Sequence, residues 1–158
     1  MATKTGLKPR SYAGRGAVDK FAIRVVGLVG SDAAGQMDSF ENPFGVDVLI
    51  LEAYVAITTI AANDANMDVG LADDVDGTSK GSEICASIID TGVAIHAYKL
   101  HTPAVTGVAF PIWKAANSTN NAADSWISCW QNGSSDSSAL RYNLILVVAK
   151  ESDFNNDV

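Results

Sequence analysis

The sequence predicts an all-β fold, an antiparallel two-sheet sandwich or a barrel, and three observations carry that prediction. Eight segments dense in apolar, β-branched or aromatic residues recur along the chain. Loops rich in Gly, Asn, Asp and Ser separate them, and no amphipathic helical period of any length is visible. Only 18% of the residues are charged, a composition that suits loops and flat sheet faces better than solvated helices. At 158 residues the chain reads as one β domain, residues 21–158, preceded by a basic N-terminal arm, residues 1–20. That length is enough to bury about two thirds of the surface an unfolded chain exposes.

The segments follow in order. Phe21 to Val29, "FAIRVVGLV", is a strand bounded by the turn-rich "GSDAAGQ". Val48 to Ile60 is the longest, thirteen residues set between Asn-Pro-Phe-Gly and Ala-Asn-Asp-Ala-Asn, too short to span a bilayer. Strict alternation there puts Leu49, Leu51, Ala53, Val55 and Ile57 on one face and Val48, Ile50, Glu52, Tyr54 and Ala56 on the other, so the strand is apolar on both faces over part of its length. A helix is the alternative such an apolar run leaves open. Met67 to Leu71 is a short strand after an Asn/Asp turn. Ile84 to Ile89 and Val93 to Tyr98, separated by "DTG", read as a hairpin. Ile112 to Ala115 is a weak strand, Ser125 to Gln131 a stronger one, and Arg141 to Lys150, "RYNLILVVAK", a strong closing strand.

The net charge of −7 conceals an asymmetry. Lys4, Lys8, Arg10, Arg15, Lys20 and Arg24 are six of the eleven bases and share the first 24 positions with one acid, Asp19, which makes that stretch +5. The other 134 residues carry five bases and seventeen acids, or −12. Such a body repels phosphates and holds no basic stripe with interleaved aromatics, which argues against direct nucleic-acid binding. The arm is either a solvated terminus or a flexible reach whose charges meet an acidic surface such as a neighbouring copy. The N-terminus shows no apolar core of a signal peptide, so synthesis in a cytoplasm is expected.

No residue pattern assembles a catalytic or metal site. His96 and His101 have no Cys or paired carboxylate at ligand spacing, and no nucleophile elbow accompanies them. Cys85 and Cys129 form no CxxC and read as two buried hydrophobes, with one bridge as the alternative. The acidic stretch "ADDVDGTSKGSE" places Asp74, Asp76, Gly77 and Glu83 at calcium-loop positions 3, 5, 6 and 12. Position 1 is Ala72, Asp73 is out of register, and the flanks are strands instead of helices. Asp73 to Glu83 is therefore read as a solvated acidic hairpin loop. Trp113, Trp126 and Trp130 lie within eighteen residues, the last two on one face of a strand. They read as core or subunit-interface aromatics, or as a sugar-stacking platform.

The block "NPFGVDVLILEAYVAITTIAANDANMDVGLADD", the "IIDTGV" turn and the closing "YNLILVVAK" resemble small jelly-roll structural proteins of tailed bacteriophages, the head-decoration or cement proteins, over Phe40 to Lys150. The resemblance implies a jelly-roll sandwich with no catalytic residues, no cofactor and no metal. It also implies a virion structural protein on the outer capsid surface that binds the major capsid protein and stabilises the lattice by binding only its assembled form. A homo-oligomer, a trimer in keeping with the three-fold positions of capsid lattices, is expected, with Lys4, Lys8, Arg10, Arg15 and Lys20 as the arm that reaches the capsid or a neighbour. The alternative is a receptor- or glycan-binding head-fibre or tail module that uses the tryptophan face.

Overall fold

The computed structural model describes residues 20–31, 34–60, 66–77, 81–89, 97–99, 110–116, 123–132 and 136–155. Among them are nine strands: β1 (Lys20–Val29), β2 (Gly35–Glu41), β3 (Val48–Thr59), β4 (Asn66–Ala72), β5 (Cys85–Ile89), β6 (Ala97–Lys99), β7 (Ile112–Trp113), β8 (Trp126–Asn132) and β9 (Arg141–Lys150). One helical turn, α1 (Ser152–Asn155), follows the last strand. Every pairing is antiparallel.

The first sheet runs β1-β9-β3-β6, with the short β7 beside the start of β3, and the second runs β2-β8-β4-β5. The pairs nest: β1 with β9, β2 with β8, β3 with β6 and β4 with β5. A long antiparallel ribbon, four strands out and four back, has rolled up so that β9 also meets β3 and β8 also meets β4. That is the jelly-roll order, the two-sheet sandwich expected above. The described ends of the expected hairpin of Ile84–Ile89 and Val93–Tyr98 do not pair with each other: β5 pairs with β4 in the second sheet while β6 pairs with β3 in the first, and residues 90–96 lie outside the described residues. Each strand takes its partner from the nest, which overrides the local turn signal.

The core lies between the sheets. Tyr142, Leu144, Leu146 and Val148 of β9 face Met67, Val69 and Leu71 of β4 and Ile127 and Cys129 of β8 within one buried cluster. In β3 a bulge between Ile50 and Glu52 adds one residue. Val48 and Ile50 therefore share the core face with Ala53, Val55 and Ile57, and the strict alternation expected from sequence changes phase at Leu51. The strand missed by sequence reading is β2, "GQMDSFE", an edge strand in which only Met37 and Phe40 are large and apolar.

Two polar knots tie the sheets together. At one end the buried Asn42, in the loop between β2 and β3, donates through Nδ2 to the carbonyls of Val46 (3.0 Å) and Trp113 (2.8 Å), and its Oδ1 accepts from the N–H of Phe44 (2.8 Å). Trp113 is 1% exposed, donates Nε1–H to the Ser125 carbonyl, and packs edge-on against Phe40 and Phe44. The Asn-Pro-Phe-Gly signature is thus a clamp that holds the loop over the core. At the seam between β1 and β2, Asp38 of the second sheet accepts from Tyr142 Oη (3.2 Å) and from the N–H of Val29 (3.1 Å), both in the first.

Cys85 and Cys129 are free and buried, as read from sequence. Both stand opposite Val69, one on either side of β4. Two strand spacings, about 9.6 Å, exceed what a disulfide bridges. Burial pushes the Cys129 thiol up to about 12 and also raises the Cys85 thiol and the Tyr142 phenol.

Asn42→Ala removes the clamp and should lower the unfolding free energy by about 2 kcal/mol in urea titrations. Asn42→Asp should be worse, because it sets carboxylate oxygens against two carbonyls, and should recover in part as acid protonates it. Stability should also fall above about pH 9, where the unfolded thiols (ordinarily 9.0) and phenol (ordinarily 10.0) release protons that the folded state retains. The unfolded state then binds fewer protons, so the slope is negative, and melting curves of Tyr142→Phe should show a shallower alkaline decline than those of the wild type.

Candidate functional site

Sheet alternation decides which side chains are available for recognition. In β8, Ile127, Cys129 and Gln131 point into the core, so Trp126, Ser128 and Trp130 face outward from the second sheet. Trp126 and Trp130 are half-buried there. Trp113 does not join them: it sits on β7 in the first sheet and is core, which corrects its candidacy as an interface aromatic. The three tryptophans do not share one face, although Trp113 reaches the Ser125 carbonyl beside Trp126.

The acidic stretch after β4 folds back across this outer face. Gly81 N–H donates to the Leu71 carbonyl (2.8 Å), and Leu71 N–H donates to Glu83 Oε2 (3.1 Å). The carbonyl of Val75 accepts from Ser39 Oγ (2.7 Å) and from Gln36 Nε2 on β2. The backbone approaches so closely that Gly70 has no room for a Cβ beneath Gly81, and Gly77, at φ +61°, lies against the Ser128 side chain. Among the described residues of the solvated hairpin expected from sequence, Asp73, Asp76 and Glu83 are exposed while Gly77 is buried. Glu83, at position 12 of the calcium-loop spacing, accepts from Leu71 N–H. Among the described residues no group of three or more His, Cys, Asp or Glu is placed to hold a metal ion.

This seating separates the two outward tryptophans. They stand four residues apart, about 14 Å along the strand, and Ser128 between them is 1% exposed beneath the loop. A continuous stacking platform for a sugar is interrupted at its middle.

At the loop's edge, Asp124 adopts φ 64° and its N–H donates to Asp73 Oδ1 (3.0 Å). Its pKa is raised by partial burial, then by the charges of Asp73 and Glu83, with Lys114 opposing.

The outer face of the first sheet has a different character. Its cross-strand rows are Ala22, Val147, Glu52 and Arg24, Ile145, Tyr54, read from β1 through β9 to β3. Ile145 and Val147 are partly exposed on this face, and Tyr54 Oη donates to Glu52 Oε2. Sequence reading passed over these residues. Their signal was the second half of the closing strand, where the outward Ile145 and Val147 are as apolar as the inward Leu144 and Leu146.

Lys4, Lys8, Arg10, Arg15, His96 and His101 lie outside the described residues. Lys20, assigned to the arm from sequence, is instead the first residue of β1 and pairs with Ala149. No helix among the described residues is long and apolar enough to cross a membrane.

The Asp124 geometry leads to opposite outcomes for two substitutions. Asp124→Asn tolerates the left-handed backbone and removes the repulsion from Asp73 and Glu83, so it should raise stability. Water screens this partly exposed group, which limits the gain to about 0.5 kcal/mol. Asp124→Ala should lower stability by about 1 kcal/mol, because Ala is strained at positive φ. Urea unfolding at pH 7 reads both.

No family model matches this chain, and neither a curated protein nor a solved structure matches it.

Proposed function

We propose that this chain is a virion structural protein, a decoration or cement protein that binds the outer surface of a tailed-phage head and reinforces contacts between copies of the major capsid protein. The observation that supports this reading is the strand order β1-β9-β3-β6 over β2-β8-β4-β5, an architecture used by capsid and lectin domains. The Asn-Pro-Phe-Gly block, which carries the sequence resemblance, supports it further through the clamp at the end of the sandwich. In this reading the protein acts by mass action, since a ligand of the assembled lattice alone stabilises that lattice against expansion and heat. The outward surfaces supply binding rather than chemistry, and the basic segment before β1 reaches an acidic neighbour. The alternative, a glycan-binding fibre or tail module, is disfavoured by the loop that lies between Trp126 and Trp130.

The test is attachment to heads that lack the protein. Purified full-length chain should co-sediment with such heads and raise the temperature at which they open by several degrees. Removing residues 1–19 should leave the fold intact and weaken attachment, with the loss largest at low salt, where charge attraction is least screened. Failure of the full-length chain to attach, together with glycan-array binding abolished by Trp126→Ala, would replace this reading with the alternative.

A further inference from the structure

The two sheets differ in what covers their outer faces. In antiparallel sandwiches the outward residues are ordinarily polar and solvated. On the second sheet the outward strands are overlaid by the acidic loop. On the first sheet the central strand β9 presents Ile145 and Val147, with Ala22 of β1 beside Val147.

Charge is arranged around that apolar strip in a particular way. Arg24, exposed on β1, stands in the row of Ile145 and Tyr54, while Glu52 stands one row along and is joined to Tyr54 by a hydrogen bond. The base is on one side of β9 and the acid on the other, across two strand spacings of about 9.6 Å.

We propose that two copies of this chain associate face to face through the outer surface of the first sheet, about a two-fold axis running along β9, so that Arg24 of each copy meets the Glu52–Tyr54 pair of the other. A half-turn about that axis exchanges the β1 side for the β3 side without changing height along the strand. Each row of one copy is thereby laid over the same row of its partner in reverse order. Ile145 and Val147 meet their own counterparts on the axis, and Arg24 lies over Tyr54 within reach of the carboxylate that Tyr54 orients. The patch is thus complementary to itself, which is the condition for a closed isologous pair.

Three strands of about ten residues offer roughly 500 Å² of sheet per copy, at the small end for specific interfaces. The pair is therefore reversible, with dissociation in the micromolar range. Its geometry is two-fold, unlike the trimer expected from the resemblance, and it does not depend on the decoration reading.

Charge reversal tests the contact without removing apolar core. In sedimentation velocity on the full chain, from about 1 to 200 µM to bracket that range, the wild type should pass from monomer to dimer. Arg24→Glu and Glu52→Arg should each weaken the dimer at least tenfold. The double variant, which rebuilds the pair with its signs exchanged, should return to within about threefold of the wild type. Melting curves of dilute monomer check that each variant is folded. A wild type that stays monomeric or forms trimers, single reversals without effect, or a folded double variant that does not recover would each overturn the proposal.

Discussion

The insertion of β9 between β1 and β3 is the constraint on which the sandwich depends. Residues 141–150 pair on one side with residues 20–29 and on the other with residues 48–59, so the first sheet has no continuous middle until the end of the chain has arrived. The strand supplies Tyr142, Leu144, Leu146 and Val148 to the core, all fully buried. Such pairing closes loops of about a hundred residues before its contacts form. Folding is then governed by long-range topology and belongs with the slow all-β domains.

Once β9 is placed, the two polar knots become intelligible as ways of holding a rolled ribbon shut. Burying a side-chain amide or a phenol is unfavourable unless each is hydrogen-bonded. Asn42 meets that condition by bonding to backbone groups of its own loop and of Trp113. Tyr142 meets it by reaching across the sandwich to Asp38, which also receives the N–H of Val29 at the end of β1. One knot closes an end and the other closes a seam, and both join segments that the nest of strand pairs brings together.

The outer faces show the same logic applied to surfaces. The acidic stretch following β4 is anchored through Gly81, Glu83 and the Val75 carbonyl, and Gly70 and Gly77 let backbone lie directly on the sheet. Asp76 stays exposed while Glu83 and Asp73 accept backbone N–H groups and Gly77 is buried, so the described residues of the loop cover part of the second sheet. No comparable cover of described residues is hydrogen-bonded across the middle of the first sheet's outer face, where Ile145 and Val147 stand. The asymmetry between the faces concerns backbone placement more than composition.

The amino-acid sequence by itself determined the all-β class, the position of the closing strand at Arg141–Lys150 to the residue, the long β3, and the burial of both cysteines. These are properties of local apolar density and turn chemistry, which act over a few neighbours. Tertiary structure decided the rest. The edge strand β2 was invisible because its inward Asp38 is accommodated by Tyr142, over a hundred residues away, and by the N–H of Val29 on another strand. The phase change in β3 was invisible because a bulge depends on the partner strand. Trp113 and Trp126 look alike in sequence, yet one plugs the core and the other faces outward, because each takes the face that the alternation of its own strand assigns it. The rows that place Arg24 and Glu52 on either side of Ile145 and Val147 exist only through cross-strand register. Register is set by which strands meet, and that choice is made by burying the whole core at once.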